Sequence, residues 1–233
     1  MPRWYVLLDG PSSDLVHVKR LFTTSNLSFD QIDGKDTLSA PSLDFHDSRD
    51  DALEAALELL NSINVALRLS VDHYNGFDVH GILEKRPDGT IHRLMLAQGG
   101  AYALSGAAAV GIAGFIGEPV RSREERLVSL IKKNATIADL AVQMTARPLT
   151  WGSMNTMYES AKGLMSPQGD RKDYHCLINL GWISKDDSGN FWKTAGYHRH
   201  GYPKEGTPTM EYSYAVKLIK GLFWRLVDAL EPK

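Results

Sequence analysis

The pattern of apolar and polar positions changes between the first and the second half of the chain. Near the start, residues 4–8 form a short apolar run that ends at an Asp-Gly-Pro sequence, which predicts a strand. We expect residues 15–22 to be a second extended segment and residues 25–47 to form a loop with no more than one short strand. A Pro-Asp-Gly sequence at residues 87–89 separates two β-like runs and predicts a hairpin.

One amphipathic helix is predicted within this β-rich half. Ser48 or Asp50 can cap its first turn. Apolar residues then recur at three- and four-residue spacing, which places them on one face of the helix. The positions expected on that face are Leu53, Ala56, Leu57, Leu60, Asn64 and Leu67.

The second half of the chain has helical periodicity almost throughout. Ser122 followed by Glu125 is the sequence of a capping box, which opens a helix. Another helix opens at residues 136–139 and has to end before Pro148. Thr150 is the expected N-terminal cap of the helix that follows.

Three further elements complete the helical half. We expect a helix over roughly residues 170–179, a turn at residues 186–189 and a last helix that starts near Thr209. One face of the last helix should carry Met210, Tyr214, Leu218, Leu222, Leu226 and Ala229.

Composition, charge and periodicity all change near Glu118-Pro119, which predicts a domain boundary there. Residues 1–118 contain 9 basic and 16 acidic residues, a net charge of −7, whereas residues 119–233 contain 17 and 12, a net charge of +5. Strands followed by helices predict an α+β fold, with a β-rich domain over residues 1–118 and a helical domain over residues 119–233. The basic excess of the helical domain permits an anionic ligand.

The overall composition is that of a soluble globular protein, with 43% hydrophobic and 23% charged residues in a chain of 233. The single cysteine, Cys176, excludes an internal disulfide, and the N-terminus lacks the features of a signal peptide, so we expect a cytoplasmic protein. The uncharged segment 101–117 follows a predicted Gly-Gly turn at residues 99–100 and is shorter than the ~20 residues of a spanning helix. We therefore predict that it packs inside the protein and that the chain does not enter a membrane.

The strongest candidate for chemistry is the run from Tyr197 to Gly201, in which His198, Arg199 and His200 are adjacent. An arginine beside a histidine suits phosphate, because the guanidinium neutralises charge while the imidazole moves a proton. In RNA cleavage that proton comes from a 2′-hydroxyl, which DNA lacks. The alternative is a structural role in which the run caps the ends of neighbouring helices. Since no third ligand stands at zinc-site spacing, we predict neither a metal nor a cofactor.

A second group of candidates lies on the helix that Thr150 is expected to cap. Trp151 and Tyr158 are seven residues apart and share a face, where core packing is one interpretation. If Glu159 is buried beside them it needs a cationic partner, and Arg199 or His200 could supply one. The sharper hypothesis makes Glu159 the carboxylate that orients a catalytic histidine. The candidate catalytic residues are Glu159, His198, Arg199 and His200, and the candidate binding residues are Trp151, Tyr158, Lys193 and Tyr197.

Residues 177–194 suggest a different functional class. A helix that ends in Leu-Gly-Trp-Ile, followed by a hairpin over residues 182–194, is the pattern of a winged-helix DNA-binding domain. Its recognition helix would begin at Trp151, but that helix contains Glu159 and has Lys162 as its only basic residue. Recognition helices contact bases and phosphates with Arg, Lys, Asn or Gln. A third hypothesis is a β domain that senses a ligand, joined to a helical domain that dimerises.

The helical half also resembles known families over about residues 150–230. It resembles a family of uncharacterised bacterial proteins in Trp151, Tyr158-Glu159, Gly181-Trp182, Thr194-Ala195, Arg199-His200 and Pro208-Thr209-Met210. It is similar, more distantly, to HEPN helical domains, several of which are ribonucleases or companions of nucleotidyltransferases. That resemblance implies a catalytic histidine preceded on a helix by an arginine. In HEPN domains the arginine lies five to seven residues before the histidine, whereas here Thr194 or Lys193 stands six or seven residues before His200 and Arg199 is adjacent to it.

The leading hypothesis is therefore an HEPN-like helical module that binds RNA or a nucleotide, with RNA cleavage as the lesser alternative. In that hypothesis His200 is the proton shuttle, Arg199 is the phosphate clamp and Glu159 is the orienting carboxylate. A second copy of the chain, in a homodimer, is the other partner considered.

Overall fold

The structure is a computed structural model, and it confirms the predicted α+β fold. An antiparallel five-stranded sheet lies in the first half of the chain, and the second half is mainly helical. The structure describes residues 3–23, 26–96, 121–146, 148–166, 175–200 and 210–231, without the side chains of Arg199 and His200.

The chain divides into two compact units, Met1–Ala135 and Thr136–Pro232. The boundary predicted at residues 118–119 lies outside the described residues, as do the turn predicted at residues 99–100 and the apolar segment 101–117. In the part of the chain that the structure describes, none of the helices combines the length and the apolar character that crossing a membrane requires.

The first unit holds a sheet and three helices among its described residues. Its elements are β1 (Trp4–Asp9), α1 (Ser12–Leu21), β2 (Ser28–Ile32), β3 (Lys35–Ser39), α2 (Arg49–Ser70), β4 (Asp78–Lys85), β5 (Ile91–Met95) and α3 (Arg123–Lys133). All strand pairs are antiparallel, in the order β2-β3-β1-β4-β5, and α2 packs against β1, β4 and α3. The strand predicted at residues 4–8 and the hairpin predicted at residues 87–89 are thus confirmed.

The loop predicted over residues 25–47 is wrong, because this stretch contains the hairpin of β2 and β3. Asp33 and Gly34 form its two-residue turn, with φ angles of 52° and 73°, and Ile32 pairs with Lys35 across it. Two successive positive φ angles match a type I′ turn, whose twist suits a tight hairpin. Both strands are largely polar, so their hydrophobic pattern gave little indication of a hairpin.

The extended segment predicted for residues 15–22 is also wrong, because most of it belongs to α1. Leu15, Val18 and Phe22 are buried at helical three- and four-residue spacing. Asp14 in the first turn of α1 is buried too, and its carboxylate accepts hydrogen bonds from two backbone N–H groups in the loop before β4. The valines favour a strand locally, but burial on one helix face and this anchor on a distant loop favour the helix.

The predicted amphipathic helix is confirmed as α2. Ser48 caps it, because its Oγ accepts a hydrogen bond of 3.1 Å from the backbone N–H of Asp51. Of the six positions expected on the buried face, Ala56, Leu60 and Leu67 are buried, and the other three are half-buried.

The sheet is strongly curled. The Nη2 atom of Arg93 in β5 lies 2.8 Å from Oδ2 of Asp33, in the turn after β2. These strands are opposite edges of the sheet, and four flat inter-strand spacings would separate them by about 19 Å. A bulge in β1 increases the local twist, and Gly81 lets β5 approach β4 at a point where a Cβ atom would overlap the carbonyl oxygen of Leu94. The curl gives the sheet an inner face.

The second unit consists of helices in its described residues. They are α4 (Ala135–Thr145), α5 (Trp151–Met165), α6 (Cys176–Asn179), α7 (Lys185–His200) and α8 (Tyr212–Leu230). Both predicted caps are confirmed: Ser122 and Glu125 form a capping box at the start of α3, and Thr150 forms one with Ser153 at the start of α5. Helix α5 packs against α6, α7 and α8.

The turn predicted at residues 186–189 and the hairpin predicted over residues 182–194 are wrong, because α7 runs through both. Ser184 begins the helix, since its Oγ accepts a hydrogen bond of 3.0 Å from the backbone N–H of Asp187. An acidic residue in a first turn is stabilised by the helix dipole, although the same Asp-Ser-Gly sequence suits a turn. The buried positions of α7 have helical spacing and are Ser188, Phe191, Thr194 and Ala195. Residues 182–194 therefore do not form the hairpin that the winged-helix hypothesis requires as its wing.

The last two predicted helices are confirmed only in part. Helix α6 covers the end of the predicted segment 170–179, whose first residues lie outside the described part of the chain. In α8, Leu222 and Leu226 are buried as predicted, but Tyr214 is 45% exposed. The buried face of α8 is Ala215, Ile219, Leu222, Phe223, Leu226 and Val227.

Candidate functional site

The aromatic candidates of the second unit meet where α5 packs against α7. The ring of Phe191 in α7 is fully buried. Its centroid lies 6.1 Å from that of Trp151 and 5.2 Å from that of Tyr158, both on α5. Trp151 and Tyr158 therefore share a helix face, as their spacing predicts, and the three rings form an interior layer that holds the two helices together.

Tyr158 and Glu159 are neighbours in sequence but lie in different environments. Tyr158 is 3% exposed, and its hydroxyl lies 2.6 Å from the Oγ of Ser188 in a buried hydrogen bond. Glu159 is exposed, and its carboxylate lies 2.8 Å from the Nζ of Lys162. The same Nζ lies 5.2 Å from the centre of the Tyr158 ring. The cationic partner that the structure gives Glu159 is thus Lys162, on its own helix.

His198 stacks on Trp151 at the C-terminal end of α7. The two ring centroids are 4.9 Å apart and the ring planes differ by 6°. Tyr212 meets Trp151 edge-on at 6.1 Å, and its hydroxyl donates a hydrogen bond of 2.6 Å to the carbonyl oxygen of Leu149. The imidazole of His198 is therefore held flat against an indole, while the residue itself stays exposed to solvent.

The remaining members of the His198–His200 run are placed only by the backbone of α7. The side chains of Arg199 and His200 lie outside the described part of the chain, so their proximity to Glu159 stays a prediction. Successive residues of an α-helix are rotated by about 100° around its axis. A helix therefore distributes adjacent residues over different faces and does not gather them into one cluster.

The solvent side of α7 carries an exposed tryptophan that the sequence prediction missed. Trp192 is 62% exposed. Gly189 precedes it by three residues and Gly196 follows it by four. Apart from the adjoining residues and the nearby backbone of α7 itself, a Cβ atom at either glycine would meet no atom of the described residues within 4 Å. Lys185 and Lys193 are exposed on the same helix. We call these five residues the α7 platform.

Recognising the platform from sequence requires the helix to be recognised first. Within a hairpin over residues 182–194, Trp192 and the two glycines would have no fixed relation to one another. As a helix, the Gly-x-x-Trp-x-x-x-Gly spacing leaves two of the four positions one turn away from Trp192 without a side chain, and the other two hold the small residues Ser188 and Ala195. Of the predicted binding residues, Lys193 belongs to the platform, Tyr197 is half-buried, and Trp151 and Tyr158 belong to the interior layer.

Comparison with known proteins identifies no function for the chain, so the function is argued from the geometry of the site. Among the described residues, no group of three or more His, Cys, Asp or Glu side chains is arranged to hold a metal ion. No family model, no curated protein and no solved structure matches the chain. The resemblances to an uncharacterised bacterial family and to HEPN domains therefore stay predictions.

Proposed function

We propose that the second unit binds single-stranded RNA or a nucleotide on the α7 platform. The observation that carries the proposal is the 62% exposure of Trp192 between two glycines. A base stacked on an aromatic side chain gains about 1–3 kcal/mol, and the gain tolerates any base. Each glycine costs a helix interior about 1 kcal/mol relative to alanine. A flat ligand that needs both faces of the indole open would explain why α7 contains two glycines although each of them destabilises the helix.

The charges near Trp192 favour a ligand that carries phosphate. Lys193 follows Trp192 directly, and Lys185 lies seven residues, about two turns, before it. Position 199 lies two turns after Trp192 along the α7 backbone, and the sequence has an arginine there. Lysine and arginine neutralise backbone phosphates and release the counterions bound to them, which makes such binding dependent on salt.

Cleavage of the bound RNA is the narrower form of the proposal. In that form His200 removes the proton of a 2′-hydroxyl and Arg199 holds the phosphate, as the HEPN resemblance implies. Glu159 would have to exchange its ion pair with Lys162 for a contact with the histidine. His198, whose imidazole is already held in place, is the alternative proton-transfer group.

Replacing Trp192 by alanine tests the binding. We expect the dissociation constant for a fluorescein-labelled oligouridylate, measured by fluorescence anisotropy, to rise about 5- to 150-fold, because one stacked base is lost. Val142→Ala on α4 removes another exposed apolar side chain, 54% exposed, and should leave the affinity unchanged. Equal affinity of the Trp192→Ala variant and the unaltered protein would refute the proposal.

The phosphate contact has its own test. Lys193→Ala should weaken the oligouridylate complex and lower the slope of log affinity against log salt by about one, because one phosphate loses its partner. Lys217→Ala on α8 removes an equally exposed amine away from α7 and should leave the slope unchanged. Competition by uridine monophosphate separates a nucleotide site from one that needs a longer strand.

The cleavage and dimer hypotheses are separated from binding by two further measurements. If the unaltered protein cleaves labelled RNA, His200→Ala should abolish cleavage and keep binding, and unchanged cleavage would remove the catalytic role of His200. Sedimentation velocity tests self-association. If Trp192→Ala converts a dimer to a monomer and leaves RNA affinity unchanged, the platform is an interface between copies of the chain.

A further inference from the structure

A cavity that is open to solvent lies on the inner face of the curled sheet in the first unit, and the function proposed above does not use it. Its volume is about 540 Å³, within the ~300–1,000 Å³ typical of small-molecule sites. Tyr5 of β1, Asp30 and Ile32 of β2, Leu83 of β4 and Ile91 of β5 line it. Four of the five strands therefore contribute to one site.

The floor of the cavity is apolar. Tyr5 and Leu83 face each other across β1 and β4 and are 9% and 0% exposed. Ile32 packs against this pair, and Ile91, which is 45% exposed, lies on the wall. An apolar molecule that settles on this floor leaves water, which is favourable in proportion to the apolar area removed.

Polar groups border this floor on the side of β2. Within the described residues, the Tyr5 hydroxyl has no hydrogen-bond partner and the Asp30 carboxylate has no cationic partner. Desolvation by burial, and then the negative charge of Asp30, raise the pKa of the Tyr5 hydroxyl, which therefore stays neutral, with an oxygen that can accept a hydrogen bond. The carboxylate of Asp33 is already paired with Arg93, and Lys85 on the wall has an interaction of its own. Asp30 is thus the charge available to a ligand.

We propose that this cavity binds a small molecule with an apolar, ring-sized body and a cationic amine. The apolar body lies on Leu83, Ile32 and Ile91, and the amine donates hydrogen bonds to the Asp30 carboxylate and to the oxygen of the Tyr5 hydroxyl. A carboxylate with no competing partner at the edge of an apolar floor selects a cation over an anion of the same shape. The Asp33–Arg93 contact keeps the two edges of the sheet together around the ligand.

Three dansyl probes that share one fluorophore test the charge preference. Dansylcadaverine carries an amine, dansylamide is neutral and dansylglycine carries a carboxylate. We expect saturable enhancement of dansyl fluorescence with the full-length protein, and an affinity that falls in that order. Asp30 is exposed, so Asp30→Asn should weaken dansylcadaverine by up to about fivefold, the upper range for an exposed ion pair, and should leave dansylamide unchanged.

Two further variants, one of them a control, test whether the effect of Asp30→Asn is specific to the cavity. Asp72→Asn removes an exposed carboxylate elsewhere in the same unit and should change no probe. Tyr5→Phe retains the ring and removes only the hydroxyl, so it should weaken dansylcadaverine and leave the far-ultraviolet circular dichroism spectrum unchanged. Binding of dansylglycine equal to or tighter than that of dansylcadaverine would overturn the proposal, and so would equal effects of the two aspartate variants. Neither result touches the RNA proposal, because every residue tested here lies in the first unit.

Discussion

The cavity of the curled sheet and the α7 platform are built in opposite ways. The cavity collects its lining from four strands that are far apart in sequence, whereas the platform lies within residues 185–196 of one helix. A site of the first kind depends on strand register and on curvature. A site of the second kind depends only on the phase of a helix. The two proposed sites thus differ in origin, because the residues of one are close in sequence and those of the other are brought together only by the fold.

The two surfaces also differ in what they contribute to stability. Tyr5 and Leu83 are buried in the cavity floor, so they stabilise the fold as well as shaping a site. Trp192 is 62% exposed and contacts too little of the protein to stabilise it. We therefore expect substitutions on the platform to change binding without a loss of stability, and substitutions in a packed layer to do the reverse.

The largest expected effect separates two neighbours on α7. Phe191→Ala removes a fully buried ring from the layer with Trp151 and Tyr158, and should lower the free energy of unfolding by about 3–5 kcal/mol. Trp192→Ala changes the adjacent exposed residue and should stay within about 0.5 kcal/mol of the unaltered protein. Urea denaturation followed by circular dichroism measures both. A comparable loss in both variants would mean that Trp192 is packed. The platform would then contribute to stability, as the residues of the cavity floor do.

An intermediate effect of opposite sign is expected at the platform glycines. Changing Gly189 and Gly196 together to alanine should raise the free energy of unfolding by about 1–2 kcal/mol, because alanine favours the helix and both positions have room for a methyl group. The same change should weaken oligouridylate binding, because the methyl groups narrow the space around Trp192. Gly163→Ala on α5 is the control, since it also has room and should raise stability alone. Unchanged RNA affinity in the double variant would show that the glycines are not part of a binding surface.

The smallest expected effect concerns an ion pair of the sheet and depends on pH. Glu84 bonds to Arg3 at 2.8 Å, and this hydrogen bond lowers the pKa of its carboxyl group. The ion pair therefore stabilises the fold fully at pH values above the pKa of the carboxyl group in the unfolded chain, about 4.3. This stabilisation is lost as the pH falls through the lower pKa of the folded protein. Glu84→Gln should cost less than about 1 kcal/mol at pH 7, and this cost should shrink as the pH falls below the pKa of the unfolded chain.

Urea unfolding at pH 7, 5 and 3 measures this difference. Glu54→Gln is the control, because it makes the same chemical change at an exposed position of α2 that forms no ion pair like that of Glu84 within the described residues. If the cost of Glu84→Gln grows as the pH falls, the sign of the linkage is wrong and the Arg3 contact is not its origin.

The elements predicted correctly are those whose causes are local. The capping box at Ser122 and the cap at Thr150 were predicted from sequence, and Ser48 was one of two caps considered for α2, because each depends on residues within one helical turn. The Pro-Asp-Gly hairpin was readable for the same reason. On the candidate site, the shared face of Trp151 and Tyr158 followed from a spacing of seven residues.

The errors arose where a local preference was overridden or ambiguous. The Asp-Asp-Ser-Gly sequence at residues 186–189 suits a turn, yet Ser184 caps a helix there, and Phe191 anchors that helix on α5. Residues 15–22 are rich in valine, yet they are buried at helical spacing. With α7 assigned to a hairpin, the phase that sets Trp192 between its glycines was lost.

The sequence by itself determined the α+β class, the starts of helices α2 to α5 and the tight turn before β5. Hydrogen bonds between residues two to four positions apart are set by those residues alone. Only the tertiary structure decided the curvature of the sheet, which brings Arg93 to Asp33 over a separation of 60 residues. It also decided which partner Glu159 takes and what surrounds Tyr5. Such contacts depend on the path of the whole chain, because many different partners of suitable chemistry compete for each side chain.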